Sequence, residues 1–225
     1  MGTMSYTQEY FLCAINGKGN VPLFRDVEVT VCLIAGGIME LIGSGYLVRD
    51  EKNKLVSGKD WDDTLSYLKP LYEEIVSSKK DRDAKGISVK YIDSDKKRNK
   101  LIASLGVSLL AEGCVEELEN KGFLKNKTKY VPKQDAVTRV IEKVRAEFLE
   151  DGEVTEETTC LAALLERSGL IKDYFSKVES AKLKERIKQV RESDASATVN
   201  EMLDYIESLI LLVIIATGAA SVASQ

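Results

Sequence analysis

Apolar residues crowd together between Val27 and Val48, where the order Val-Glu-Val-Thr-Val-Cys-Leu-Ile-Ala-Gly-Gly-Ile-Met-Glu-Leu-Ile-Gly-Ser-Gly-Tyr-Leu-Val leaves too few polar positions for a surface helix. The pattern predicts a mostly buried helix, with Gly36-Gly37 removing side chains where another backbone can approach. Gly45 ends it, because glycine reaches the left-handed geometry of a helix C-terminus without steric cost, and Tyr46-Leu47 folds back into a short strand. The same order of leucine, glycine and apolar pair returns at Leu118, Gly122, Phe123-Leu124 and at Leu165, Gly169, Leu170-Ile171. After the first two copies, polar turns at 49–54 and 125–128 lead into Leu55-Val56 and Lys129-Tyr130-Val131. Each of these copies predicts a helix followed by a small β-hairpin.

The remaining periodicities are helical. Thr7 is placed to cap a short helix over Tyr10 to Ile15, closed by the turn Asn16-Gly17-Lys18-Gly19-Asn20, which lacks the Lys-Ser/Thr ending of a nucleotide loop. Leu65, Leu68, Leu71, Tyr72, Ile75 and Val76 predict a helix from about Ser57 to Ser78, kinked or broken at Lys69 by Pro70, with Trp61 packing near its start. Two mixed-charge connectors, 79–86 and 93–100, flank the region before a second apolar helix from Leu101 to Lys121. Val137, Val140, Ile141, Val144 and Phe148 form the inward stripe of an amphipathic helix over 136–149, and Thr155 caps the next, 158–168. A charged segment, 172–192, precedes a last helix from about Ala195, whose end, Leu209 to Ala220, is the most apolar run of the chain. A membrane span needs about 20 apolar residues, and Asp204 and Glu207 interrupt this one, so a buried core helix is expected.

Composition changes this picture mainly by exclusion. With 44% hydrophobic and 30% charged residues the chain can build a core, and a formal net charge of −4 gives no global attraction to nucleic acid. The absence of histidine removes the commonest general base and the commonest zinc ligand. Cys13, Cys32, Cys114 and Cys160 stand alone among apolar residues and read as reduced core thiols of a cytosolic protein. No basic stretch followed by an apolar run points to secretion. No nucleophile-base set, carboxylate pair or metal spacing stands out, so no cofactor, metal or catalytic activity is expected. Lys125, Lys127 and Lys129 alternate and would share one face of a strand. This patch either meets an anionic lipid surface, at about 1 kcal/mol per lysine, or simply solubilises an exposed strand edge.

Thr7-Gln8-Glu9-Tyr10-Phe11-Leu12 with its glycine turn, Ile38-Met39-Glu40-Leu41 with Gly45-Tyr46-Leu47, Asp63-Thr64-Leu65, Leu118 to Leu124 and the 137–148 helix together resemble the Golgi phosphoprotein three family. The resemblance covers essentially the whole chain. It implies a mainly α fold, a single helical domain over 5–223 after a short extension 1–4, with amphipathic helices around a buried hydrophobic helix and small β-hairpins. It also implies a non-enzymatic protein, peripheral to the cytosolic face of membranes, the Golgi in a eukaryote. Such proteins recognise phosphatidylinositol 4-phosphate, engage cytosolic tails of membrane enzymes, and self-associate through the first hairpin. The family places an aromatic before the central helix, an arginine early in that helix, and two arginines one turn apart before the second glycine stop. Phe24 or Arg25 falls at the first of these positions, whereas Ile34, Ser108 and Ala111 stand at the arginines. A phosphomonoester requires several cationic donors, so Arg25, Arg98, Lys121 and Lys125 are the candidate substitutes beside Phe24. The alternative is a soluble protein-interaction scaffold of the same fold without a lipid ligand. A winged-helix nucleic-acid binder is disfavoured by the net acidity and the lack of a basic recognition helix.

Overall fold

Two helices form the centre of the protein: α1, Tyr6–Ala14, and α2, Asp26–Gly43. The computed structural model describes residues 4–21, 26–80, 82–119, 128–150, 153–192, 200, 203–209 and 211. As the density of apolar residues predicts, α2 is buried without interruption from Val29 to Leu41. Its Gly36 and Gly37 face different neighbours. A methyl group on Gly36 would stand 3.0 Å from Leu164 and 3.3 Å from Thr7 Oγ1, and one on Gly37 would stand 2.8 Å from Leu71. The glycine pair therefore lets elements from both sides close onto one helix.

α1 starts earlier than its pattern suggests. Ser5, not Thr7, caps it, in a reciprocal box where Gln8 N donates to Ser5 Oγ and Ser5 N donates to Gln8 Oε1 at 2.9 Å. Thr7 is fully buried inside the helix instead. Asn16 Oδ1 accepts from the backbone N–H groups of Lys18 and Asn20, which closes the glycine turn on itself.

The first hairpin is β1, Leu47–Arg49, and β2, Leu55–Ser57, antiparallel with Val48 opposite Val56. The single long helix expected over 57–78 is not formed. A 3-10 turn, Ser66–Leu68, leads into α3, Lys69–Ser77, and Pro70 lies in the first turn of α3. Of the kink or break expected at Lys69, the break is observed: proline has no N–H to donate there and none is needed, so it starts a helix. Trp61 packs as expected, stacked on Tyr72 at 4.6 Å between ring centres and tilted against Tyr46 at 4.8 Å.

The described part of the connector over 79–86 stays non-helical up to Asp83, whereas most of the connector over 93–100 is helical. α4, Ala84–Ile92, is capped by Asp83, whose carboxylate accepts from Gly86 N at 2.8 Å, and it buries Ile87 and Tyr91 next to α2. α5, Asp95–Ala111, begins within the second charged run and stops ten residues short of Lys121. Gly113 ends α5, and β3, Val115–Glu119, pairs antiparallel with β4, Thr128–Pro132, with Leu118 opposite Lys129. This hairpin closes onto α5 through Gly106, where an added methyl group would overlap the Tyr130 ring.

α6, Gln134–Phe148, buries the five predicted residues of its stripe, and α7, Glu156–Arg167, is capped by Thr155. The charged segment 172–192 contributes α8, Ile171–Tyr174, and α9, Lys177–Glu192. Residues 203–209 are helical and bury Leu203, Ile206 and Leu209, while Asp204 and Glu207 pair with Arg191 and Arg167. The apolar run beyond 211 lies outside the described residues, within which no helix is long and apolar enough to cross a membrane. The protein is mainly α, with helices packed around a buried one and two small hairpins. All four cysteines are buried free thiols, and burial pushes Cys160 up to about 12 and the others upward too.

Candidate functional site

Three helices end in the same way, and this sets the register of any site built on them. Gly45, Gly113 and Gly169 hold φ of +77°, +71° and +74°, the left-handed region where glycine is favoured. At the first, Tyr46 N donates to Leu41 O and Gly45 N to Ile42 O, both at 2.9 Å. At the second, Cys114 N donates to Leu109 O at 2.9 Å and Gly113 N to Leu110 O at 3.0 Å. At these two stops the carbonyls of the last turn are satisfied by the same pair of bonds, and at the third Gly169 N donates to Glu166 O at 3.0 Å. The second copy of the repeated order is therefore Leu109, Gly113, Cys114-Val115, not Leu118 to Leu124. Leu118 is a strand residue, and Gly122 lies outside the described residues.

This correction moves the paired positions at Ser108 and Ala111. Counted from the glycine that ends α5, nine residues earlier than Gly122, they fall on Asn99 and Ile102. Neither is cationic, but Arg98 is adjacent. Ser108 instead accepts a hydrogen bond from Gln8 Nε2 at 2.5 Å, tying α5 to α1. Ile34 is fully buried in the core, where a guanidinium would have to be desolvated without a partner.

Of the five candidate head-group residues, Phe24, Arg25, Lys121 and Lys125 lie outside the described residues. Arg98 sits in the first turns of α5 with its side chain 19% exposed. Its Nη1 donates to the carbonyls of Tyr91 at 3.3 Å and Ile92 at 3.1 Å, closing the C-terminal end of α4. Its Nη2 pairs with Asp95 and lies 3.7 Å from Asp26, the first residue of α2. The neighbouring cations are engaged as well, Lys97 with Glu74 at 2.6 Å and Lys100 with Glu73 at 3.0 Å, which fastens α5 to α3. Pairs at this exposure are worth at most about 1 kcal/mol each, so a phosphate could compete for the two lysines more easily than for Arg98. The N-terminus of α2, a natural place for an anion, carries Asp26 and Glu28 in its first turn. Those carboxylates oppose a phosphate at that end.

Among Lys125, Lys127 and Lys129, only Lys129 is described, and it is half-buried in β4 against Gly19. On the strand opposite, Glu116 shares the face of Lys129, whereas Glu117 lies on the other face with Tyr130. The described part of that hairpin face therefore carries both signs. The sequence reading missed α4 and the burial of Glu40, whose carboxylate accepts from the Tyr67 hydroxyl. The signal for α4 was present as Asp83 before Gly86, with Ile87 and Tyr91 one turn apart.

The geometry defines a class: a helical domain built around one buried helix, in which two of three glycine stops feed a β-hairpin. Residues 7–206 match the family described as Golgi phosphoprotein 3 (GPP34), and the chain belongs to that family. No curated protein matches it.

Proposed function

We propose that this protein is a non-enzymatic, peripheral membrane protein that recognises a phosphoinositide head group, phosphatidylinositol 4-phosphate in the first instance, on the cytosolic face of a membrane. The observation that carries the reading is the family match over residues 7–206. The head-group site is rebuilt relative to the family pattern, because Ile34 is core and Asn99 and Ile102 stand at the paired positions. Phe24 and Arg25, in the segment leading into α2, together with Arg98, Lys121 and Lys125, are the residues assigned to it. In a eukaryotic cell the membrane is the Golgi, and cytosolic tails of membrane enzymes are the partners.

The test is sedimentation with liposomes carrying phosphatidylinositol 4-phosphate, against phosphatidylserine liposomes of matched charge, at two salt concentrations. Head-group-dependent binding that falls when Phe24 and Arg25 are both changed to alanine is expected. Binding that tracks charge and vanishes with salt, or no binding, favours a second reading. That second reading, a protein-interaction scaffold without a lipid ligand, is supported by the pairing of Arg98, Lys97 and Lys100 with carboxylates of α2, α3 and α5.

A further inference from the structure

The charged helix α9 carries an ordered pattern. Lys177, Ala181, Lys184, Lys188 and Arg191 recur at intervals of four and three, which places them on one stripe, and none of them is acidic. The adjacent stripe, Val178, Lys182, Glu185, Gln189 and Glu192, is mixed. In a chain of net charge −4 the first stripe is a local concentration of positive charge. Two cavities open along it and share Lys184. One, of about 490 Å³, lies between α8 and the first turns of α9, where Lys172, Lys177 and Lys184 surround Ile171, Phe175 and Ala181, with no carboxylate among its described lining residues. The other, of about 240 Å³, faces α7 and residues 203–209, and there Glu166 and Glu207 pair with Arg167 and Arg191.

The unneutralised charge therefore gathers at the first cavity. Lys172 and Lys177 are exposed, and among the described residues neither pairs with a carboxylate. Lys184 reaches Glu166 at 3.1 Å with its side chain 52% exposed, and Lys188 stands 3.9 Å from Glu192. Exposed pairs of this kind are weak and yield to a competing carboxylate. Lys177 is also the first residue of α9, where the partial positive charge of the helix end disfavours a cation. Local electrostatics of the fold thus oppose the arrangement, and an anionic partner relieves it.

We infer that the α8–α9 face docks an acidic segment of a partner protein, with an apolar side chain seated against Ile171, Phe175 and Ala181 and flanking carboxylates at Lys172, Lys177 and Lys184. The stripe from Lys177 to Arg191 is about 21 Å long, which an extended peptide covers with about six or seven residues. An anionic lipid surface meets the charge of these lysines but sends no side chain into the recess between them. None of the residues assigned to the head group lines this face, so the inference stands apart from the lipid reading.

The test follows the fluorescence anisotropy of a short labelled peptide, phenylalanine at its centre and aspartate or glutamate elsewhere, as the full chain is added at physiological ionic strength. Saturable binding is expected, at least about fivefold weaker when the central residue is alanine. Lys172→Glu combined with Lys177→Glu should weaken it by at least about tenfold, and a glutamate at the start of α9 favours the fold rather than harming it. Lys85→Glu combined with Lys96→Glu, exposed lysines that line neither cavity, makes the same change in net charge and should alter affinity less than about threefold. Ala181→Trp fills the recess without changing charge and should also weaken binding by at least about tenfold. Equal losses in the two double variants, equal affinity for the two peptides, or unchanged binding in a folded Ala181→Trp protein overturns the inference. Failure to saturate by about 1 mM overturns it too, and phosphatidylserine vesicles that then bind the unaltered chain but not the Lys172 and Lys177 double variant would assign the stripe to a lipid surface instead.

Discussion

Burial raises the Glu40 carboxyl above its ordinary value of 4.5, with the polar groups of Thr7, Tyr67 and Ser5 opposing the shift. The folded protein thus holds this proton more tightly than the unfolded chain. Its contribution to stability is complete below about pH 4.5 and is lost as the pH rises through the folded value. Glu9 shifts in the same direction through burial, against the pull of Lys143. Other carboxyls run the opposite way: Glu179, held at about 2 by the backbone N–H of Ser176, and Asp83, held low by Lys54, contribute stability that is lost as the pH falls. The overall profile superposes these groups, so the informative quantity is a difference. Glu40→Gln should gain in Tm relative to the unaltered protein as the pH is raised from about 4.5 towards neutrality. An offset constant over that range would mean that Glu40 ionises as freely in the fold as in the unfolded chain.

Glycines decide where the elements stop and how closely they pack, and three of them should respond differently to alanine. Gly43 lies inside α2 with open space where a Cβ would be, so Gly43→Ala should stabilise by roughly 0.5–1 kcal/mol through helix propensity alone. Gly113 also has room, but its φ of +71° strains any other residue, and Gly113→Ala should cost on the order of 1–2 kcal/mol. Gly106 has a helical backbone and no room, since a methyl group would stand 2.1 Å from the Tyr130 ring. Overpacking of this kind costs typically 1–3 kcal/mol, and here it would lever the β3–β4 hairpin off α5. Urea midpoints should fall in the order Gly43→Ala, unaltered protein, then the other two variants. A Gly106→Ala protein as stable as the unaltered one would show that the hairpin is not held through Tyr130.

Assembly of several copies is proposed to run through the first hairpin, whose inner side is fixed and whose outer side is open. Leu47 and Leu55 are buried, Leu55 N donates to Arg82 O at 2.9 Å, and Lys54 pairs with Asp83 at 2.5 Å. Val48, on the outer face, is 44% exposed. Val48→Glu should leave the circular dichroism spectrum unchanged and convert an oligomer to a monomer in sedimentation velocity at micromolar concentration. A monomer before the substitution, or an oligomer that survives it, removes this hairpin from the assembly.

Much of this architecture was legible in the sequence, because its determinants are local. The density of apolar residues from Val29 to Leu41 marks a helix with no solvent face, the stripe from Val137 to Phe148 fixes which side of α6 turns inward, and Gly45 and Gly169 mark chain reversals that only the backbone at that point must satisfy. What the sequence left undetermined depends on partners far away in the chain. Charged residues over 93–100 read as a solvated connector, yet Glu73 and Glu74 of α3 and Asp26 of α2 take up Lys100, Lys97 and Arg98 and hold that run as the start of α5. The choice of Gly113 over Gly122 as the second stop follows from the pairing of 115–119 with 128–132 and from Tyr130 closing on Gly106, contacts that no local pattern encodes. The surroundings of Glu40 are tertiary for the same reason: a polar residue inside an apolar helix meets its partners, among them the Tyr67 hydroxyl, only after the other elements have closed around it.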